Sequence, residues 1–214
     1  MWPGIPYGPR PERCARSGKG ADVKNRRQHH TGDNTGSTYP QHVFGFCPRC
    51  GAGDLCSRGG RSFACSGCGF EYFINAAAAV VALIEDSRER LLMTRRGREP
   101  KLGTLDLPGG FVDVRETAEH ALIREIREEL NLEITGFSYF GSFPNTYPYG
   151  GITYFTLDLA FVCTVNDLTT VRAGDDAEAY VFMPRHEIRP EEIGLDSIRE
   201  IVRQYLSSSG NGSR

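Results

Sequence analysis

The feature that most constrains this chain is a group of three glutamates on one predicted helix, placed shortly after two glycines. Glu125, Glu128 and Glu129 fall within about a third of the helix circumference, since successive residues turn by about 100°. Like charges at this spacing repel one another unless a cation joins them. Carboxylate oxygens suit hard divalent ions such as Mg²⁺ or Mn²⁺, which bind phosphates and activate water. A solvated acidic face is the alternative interpretation.

The residues around these glutamates form a motif of fixed spacing. It resembles the Nudix box, G-x5-E-x7-R-E-U-x-E-E-x-G-U with U aliphatic. The matching positions are Gly110, Glu116, Arg124, Glu125, Ile126, Glu128, Glu129 and Leu132. The single departure is Asn131 in place of the late glycine. A helix often ends on a left-handed residue, for which Asn is the next choice after Gly, so the helix is expected to persist to this point.

The resemblance covers about residues 76–206 and implies an α/β fold, the Nudix α/β/α sandwich with a mixed sheet. Apolar runs and turn signals predict strands at 76–84, 90–95, 136–143, 153–164 and 179–183, the first two forming a hairpin. A box helix capped by Thr117 and a closing helix over 197–206 complete the pattern. The predicted domains are a disordered basic tail (1–42), a small zinc ribbon (43–73), the Nudix hydrolase domain (74–208) and a disordered end (209–214).

Two C-x-x-C-G pairs precede the box. Cys47 and Cys50 are separated by 14 residues from Cys65 and Cys68, a spacing typical of tetrahedral zinc held by two turns on a short hairpin. Disulfides are the alternative, which a reducing compartment disfavours. The predicted zinc is structural, because so short a segment cannot build an apolar core. Few cations accompany it, so a nucleic-acid partner is not expected.

The order of ribbon and box resembles the NADH pyrophosphatase branch of Nudix hydrolases, in which the motif S-Q-P-W-P-F-P-x-S follows the box. The segment 142–150 matches it at Ser142, Pro144 and Pro148, and has Tyr147 for Phe, whereas the Gln, Trp, middle Pro and final Ser are absent. Phe143 and Tyr147 are therefore candidates for stacking on a base or nicotinamide ring. A proline-braced loop is the alternative interpretation.

The resemblance also implies roles for individual residues. Glu125, Glu128, Glu129 and the carbonyl of Gly110 would hold Mg²⁺ or Mn²⁺, and Glu128 or Glu129 would act as base. Arg124 would orient this cluster by pairing with Glu116. Arg95 and Arg96 are candidates for phosphate contact. Glu178, with Asp175 and Asp176, would supply a further carboxylate or form an exposed turn.

Composition agrees with a globular enzyme, with 39% hydrophobic and 24% charged residues and no apolar run of membrane-spanning length. With this composition, the resemblance implies a cytoplasmic, metal-dependent hydrolase that cleaves the pyrophosphate of a nucleoside diphosphate derivative, either NADH/NAD or ADP-ribose. A nucleoside triphosphate pyrophosphatase and a catalytically silent nucleotide sensor are the alternatives. A homodimer is compatible with the sequence.

Overall fold

A computed structural model describes residues 38–53, 55–172 and 177–208, with the backbone alone at 177 and 178. The chain divides into two compact units, Met1–Asn75 and Ala76–Arg214. Most of the predicted tail and all of the predicted C-terminal end, 209–214, lie outside the described residues. None of the helices in the described part of the chain is both long and apolar enough to cross a membrane.

The N-terminal unit holds a short helix and a three-stranded antiparallel sheet. Helix α1 is Pro40–Val43, which begins inside the segment predicted to lack structure. The strands are β1 (Leu55–Arg58), β2 (Ser62–Cys65) and β3 (Glu71–Phe73), in the order β1-β2-β3. Gly59 and Gly60, both with positive φ, let the chain turn from β1 directly into β2.

The second unit contains two sheets and two long helices. Its strands are β4 (Ala77–Ile84), β5 (Arg90–Arg96), β6 (Leu105–Asp106), β7 (Gly109–Phe111), β8 (Ile134–Tyr149), β9 (Ile152–Val165) and β10 (Ala177–Pro184). The helices are α2 (Ala118–Leu130) and α3 (Asp196–Ser208). One sheet has the order β7-β4-β9-β8 and is mixed, because β4 runs parallel to β9, while the other is antiparallel with the order β10-β5-β6.

Strand β4 shows why helices cover both faces of the mixed sheet. Val81 and Leu83 join an apolar core that includes Ile201 of α3, whereas the alternate residues Val80 and Ala82 join a core with α2. Successive side chains of a strand point to opposite faces, so a strand that is apolar throughout needs cover on both. The predicted α/β/α class with a mixed sheet is confirmed.

One local prediction and one alternative interpretation are wrong. β4 and β5 do not form a hairpin, because β4 pairs with β7 and β9 while β5 belongs to the other sheet; only a bridge between Glu85 and Leu91 joins them. The segment 142–149 is not a loop but the second half of β8, which pairs with β9 along its length. β8 lies at a sheet edge, where Pro144 and Pro148 are tolerated because prolines lack an N–H group to donate.

Candidate active site

The box helix α2 begins and ends where its capping residues predict. Thr117 is the N-cap, and its hydroxyl accepts a hydrogen bond from the backbone N–H of His120 at 3.2 Å. Asn131 is the C-cap and adopts the left-handed conformation, with φ +55°. Buried Leu122 and Ile126 anchor one face of the helix. The glutamates therefore project from a helix whose position and ends are fixed.

Arg124 connects the carboxylates of the box. Its guanidinium donates to both oxygens of Glu116, at 3.0 and 2.8 Å, and to Oε1 of Glu125 at 2.8 Å. It also donates to the carbonyl of Phe111 at 3.0 Å, which joins α2 to β7. The hydrogen bonds from Arg124 lower the pKa of Glu116 to about 2. The predicted pairing of Arg124 with Glu116 is thus present, and the carboxylate stays ionised at any ordinary pH.

The two glycines of β7 bring the backbone against two of the three glutamates. A Cβ on Gly110 would lie 2.5 Å from Oε2 of Glu125, so only glycine leaves room for this carboxylate. The N–H of Gly109 donates to Oε2 of Glu129 at 3.0 Å. Burial raises the pKa of Glu125, although Arg124 partly offsets this effect. A half-buried carboxylate of this kind gains from a nearby cation, and these oxygen donors fit Mg²⁺ or Mn²⁺.

Glu128 occupies a different position from the other two glutamates. Its Oε2 accepts from Arg124 at 3.2 Å, but its side chain is 61% exposed. It is absent from the lining of the cavity onto which Glu125 and Glu129 open, and lies instead on the outer side of α2. The structure therefore brings Glu125, Glu129 and Gly110 together, with Glu128 linked to them through Arg124.

A cavity of about 690 Å³ lies beside these carboxylates. Arg95, Arg96 and Tyr147, all predicted substrate residues, line it. Phe111 and Tyr149 add two further aromatic rings at its wall, and the ring of Phe111 meets that of Tyr147 edge to face at 5.7 Å. An aromatic wall of this kind suits a planar heterocycle.

Arg96 is held by the protein on several sides. Its Nε donates to the carbonyl of Pro100 at 2.7 Å, its Nη1 to Asp106, and its Nη2 to the hydroxyl of Tyr147 at 3.3 Å. The guanidinium also lies over the Tyr147 ring, 5.8 Å from the centroid. Arg96 therefore supports Tyr147. Arg95 is exposed and donates to the carbonyl of Gly103 at 2.6 Å, and its phosphate contact stays a prediction.

Of the other two predicted substrate residues, Phe143 lies away from the cavity and the side chain of Glu178 is not described. Phe143 is only 7% exposed and packs in the core near Phe140 and residues of α3, so the prediction that it stacks on substrate is wrong. It shares a face of β8 with Tyr147 but lies four residues earlier, where α3 covers the sheet. Glu178 lies on β10, but its side chain is outside what the structure describes, as are Asp175 and Asp176.

Sequence reasoning missed several polar residues of the cavity wall, three of which are considered next. Asp106, Asn145 and Asp158 line it, and both aspartates are nearly buried. Burial raises the pKa of Asp158, opposed by hydrogen bonds from Ser197 and Thr156. A signal was present for Asp158, because it is the one charged residue within the apolar run 152–163.

The four predicted cysteines of the N-terminal unit form one cluster. The sulfur atoms of Cys47, Cys50, Cys65 and Cys68 all lie within 4.8 Å of one another, and two pairs are 3.7 Å apart. Tetrahedral zinc with Zn–S bonds of about 2.3 Å places sulfurs about 3.8 Å apart, so this donor set fits zinc. Each Cys-x-x-Cys segment is followed by a glycine with positive φ, +73° at Gly51 and +72° at Gly69. These glycines let the backbone turn beneath the sulfur atoms.

Comparisons with known proteins agree with this geometry. A family model described as NUDIX domain matches residues 75–205. An ADP-ribose pyrophosphatase of Methanocaldococcus jannaschii is 30% identical over 139 residues, which are 64% of this chain and 77% of that protein. The NAD-capped RNA hydrolase NudC of Vibrio vulnificus is 27% identical over 113 residues, 53% of this chain but only 42% of that protein. A crystal structure of a NUDIX hydrolase from Nitrosomonas europaea superposes with a TM-score of 0.60 at 21% identity, covering 79% of this chain and 94% of that one.

Proposed function

Because the chain belongs to the Nudix family, we propose that it hydrolyses the pyrophosphate bond of a nucleoside diphosphate derivative, either NADH/NAD or ADP-ribose. The observation that carries this proposal is the Glu125 carboxylate seated over Gly110, beside Glu129 and facing a cavity with aromatic walls. The cavity has carboxylates that could hold a phosphate-binding ion and aromatic rings that could stack on a base. This combination fits a nucleotide joined to a second group. The Methanocaldococcus relative is named for ADP-ribose and the Vibrio relative for NAD-capped RNA, and both names support a substrate of this class.

In the proposed mechanism, Glu125, Glu129 and the Gly110 carbonyl would hold Mg²⁺ or Mn²⁺, and the hydrogen bond from Arg124 would keep Glu128 near them. When bound there, such an ion would supply positive charge to the phosphate oxygens and lower the pKa of the attacking water. Water attacks one phosphorus, a carboxylate of the cluster accepts its proton, and the anhydride P–O bond breaks, leaving two phosphomonoesters. Arg124 keeps Glu125 oriented through the contacts it shares with Glu116. Tyr147, supported by Arg96, would stack on a planar ring of the substrate.

The four cysteines of the N-terminal unit are proposed to hold one structural Zn²⁺. The sulfur separations and the two similar glycine turns support this proposal. Zinc would link the loop before β1 to the end of β2 and so stabilise a segment too short to build a large apolar core.

A hydrolysis screen tests the proposed activity. NADH, NAD⁺, ADP-ribose, an NAD-capped oligonucleotide and dNTPs are incubated with Mg²⁺ or Mn²⁺, and products are separated by chromatography. We expect mononucleotides from the dinucleotides or ADP-ribose, abolished in Glu125→Gln and retained in Glu119→Gln, an exposed glutamate of the same helix outside the cluster. Faster turnover of dNTPs would replace this function with that of a triphosphate pyrophosphatase. Binding without turnover would indicate a silent sensor.

A further inference from the structure

Two tyrosines stand side by side near the end of β8. Tyr147 and Tyr149 are two residues apart on one strand, so their side chains point to the same face of the sheet, and both line the cavity. Their ring centroids are 6.5 Å apart, and the two ring planes are inclined by 38°. Tyr147 is the proposed stacking residue, and Tyr149 is its aromatic neighbour along the strand.

The separation of these two rings is close to the distance that a third ring needs between them. Aromatic carbon atoms pack best about 3.5 Å apart, so a planar ring held between two others requires about 7 Å between the outer rings. The observed separation is 6.5 Å, as expected for residues two apart on a strand. A shift of about 0.5 Å, with a turn that removes the tilt, would therefore admit a flat ligand ring.

The surrounding protein holds Tyr147 in place. Its hydroxyl accepts a hydrogen bond from Nη2 of Arg96 at 3.3 Å, and the same guanidinium lies 5.8 Å from its ring centroid. Arg96 is itself paired with the buried carboxylate of Asp106. The ring of Phe111 meets the Tyr147 ring edge to face at 5.7 Å. Tyr147 is therefore a fixed surface for a ligand.

Tyr149 is held much less tightly. It is the last residue of β8, is 63% exposed and precedes two glycines with positive φ. Strand β4 pairs with β9 only from Thr156 onward, so this end of the β8–β9 hairpin extends beyond β4. Within the part of the chain that the structure describes, no hydrogen bond restrains the Tyr149 hydroxyl. Exposed side chains change rotamer quickly, so Tyr149 can turn while Tyr147 stays in place.

We propose that Tyr147 and Tyr149 form an aromatic clamp, in which a planar nitrogen heterocycle of the substrate inserts between the two rings and Tyr149 turns to lie parallel to it. The proposal rests on the proposed function for the placement of the phosphates near the carboxylates. Tyr149 occupies the variable position of the nine-residue motif, so the motif does not imply a second ring there. Adenine and nicotinamide both belong to this chemical class.

The experiment measures the binding of two mononucleotides to the full chain. Ethenoadenosine monophosphate carries a fluorescent derivative of adenine, and reduced nicotinamide mononucleotide carries a fluorescent nicotinamide ring. Neither contains a pyrophosphate, so neither can be hydrolysed by the proposed reaction. Dissociation constants are obtained with Mg²⁺ present from the change in emission on titration. We expect the wild type to bind at least one of them, and the nucleotide that binds more tightly identifies the ring held by the clamp.

The variants test whether both tyrosines contact the same ring. Tyr149→Ala should weaken binding of that nucleotide about tenfold, within the range for the loss of one base–aromatic stack. Tyr147→Ala should weaken binding of the same nucleotide by at least as much. Tyr149→Phe should bind within about twofold of wild type, because stacking uses the ring and not the hydroxyl. Tyr139→Ala is the matched control, since Tyr139 is an exposed tyrosine of the same strand outside the cavity lining.

Hydrolysis provides a second measurement. A clamp that contacts the substrate ring in both the ground state and the transition state affects KM more than kcat. In Tyr149→Ala the KM for ADP-ribose or NADH should therefore rise about tenfold, while kcat stays within about threefold of wild type. Since Tyr149 is exposed, its replacement is not expected to affect the fold.

Several results would overturn the clamp. Binding by Tyr149→Ala within twofold of wild type would remove Tyr149 from the site, and equal losses in Tyr149→Phe and Tyr149→Ala would assign the effect to the hydroxyl. If Tyr147→Ala and Tyr149→Ala weaken different nucleotides, the two rings serve separate groups. A wild type that binds neither nucleotide at millimolar concentration also refutes the clamp. A wild type that binds through both tyrosines but cleaves no pyrophosphate substrate would instead refute the proposed function and leave the clamp standing.

Discussion

Replacing Gly110 with alanine tests whether the position of the Glu125 carboxylate controls catalysis. The new Cβ would lie 2.5 Å from Oε2 of Glu125, whereas ordinary contacts begin near 3.4 Å. Because Cδ and Oε1 of the same carboxylate would lie at 2.4 Å, the carboxylate must retreat by about 1.0 Å. The carboxylate of Glu125 is the end of a flexible side chain, so it can move without a change in the fold. A displacement of about 1 Å in a catalytic group can cost about a hundredfold in rate, or about 2.7 kcal/mol of transition-state stabilisation.

The measurement is kcat/KM for ADP-ribose as a function of Mg²⁺ concentration, together with the free energy of unfolding in urea. We expect kcat/KM to fall about a hundredfold, with a higher Mg²⁺ requirement, while the unfolding free energy changes by less than about 1 kcal/mol. Gly45→Ala is the control, since no atom lies within 4 Å of its added Cβ. Gly110→Ala activity within threefold of wild type at every Mg²⁺ concentration would refute the argument that Glu125 needs this space.

Three further predictions concern other parts of the molecule. If Glu128 turns toward the cavity and contacts the ion, Glu128→Gln should reduce kcat by about a hundredfold without unfolding the chain. Turnover within a few-fold of wild type would show that Glu128 is not a metal ligand or base and serves only as a partner of Arg124. Elemental analysis should find about one Zn²⁺ per chain, and Cys65→Ser should release it while Mg²⁺-dependent turnover persists; protein purified without chelator and free of zinc would contradict this. Because the pKa of Glu116 is lowered from 4.5 to about 2, the stability it contributes is present above about pH 4.5 and is lost as the pH falls toward 2. The difference in unfolding free energy between wild type and Glu116→Gln, measured in urea, should therefore shrink over that range, and a constant difference would contradict the assignment.

The parts of the site that were predictable are those encoded by local spacing. Helical periodicity places the box glutamates beside Arg124, and the local capping preferences of Thr117 and Asn131 fix where α2 begins and ends. The paired cysteines were equally readable, because a tetrahedral ion requires two close pairs that a hairpin can bring together. The sequence did not show which of the three glutamates face the cavity. Glu125 and Glu129 face the cavity and Glu128 does not, and this depends on the path of β7 past α2.

The predictions that were wrong or missing all involve pairing between distant segments. The hairpin of β4 and β5 was a reasonable inference from two apolar runs and a turn, but β4 instead pairs in parallel with β9, about 80 residues away. Phe143 and Tyr147 share a face of one strand, yet α3 buries the first and leaves the second at the cavity. Neither the pairing of β4 with β9 nor the burial of Phe143 can be recognised from residues nearby in the sequence.

The sequence by itself determined the family, the carboxylate helix with its two caps and the four-cysteine cluster, because each depends on residues close together along the chain. Only the tertiary structure decided which polar groups line the cavity. Asp158 lies on β9 and accepts a hydrogen bond from Ser197 of α3, and this contact exists only after the packing of α3 on the sheet is set. The orientation of this buried carboxylate thus depends on a residue 39 positions away in the sequence, which no local pattern of residues encodes.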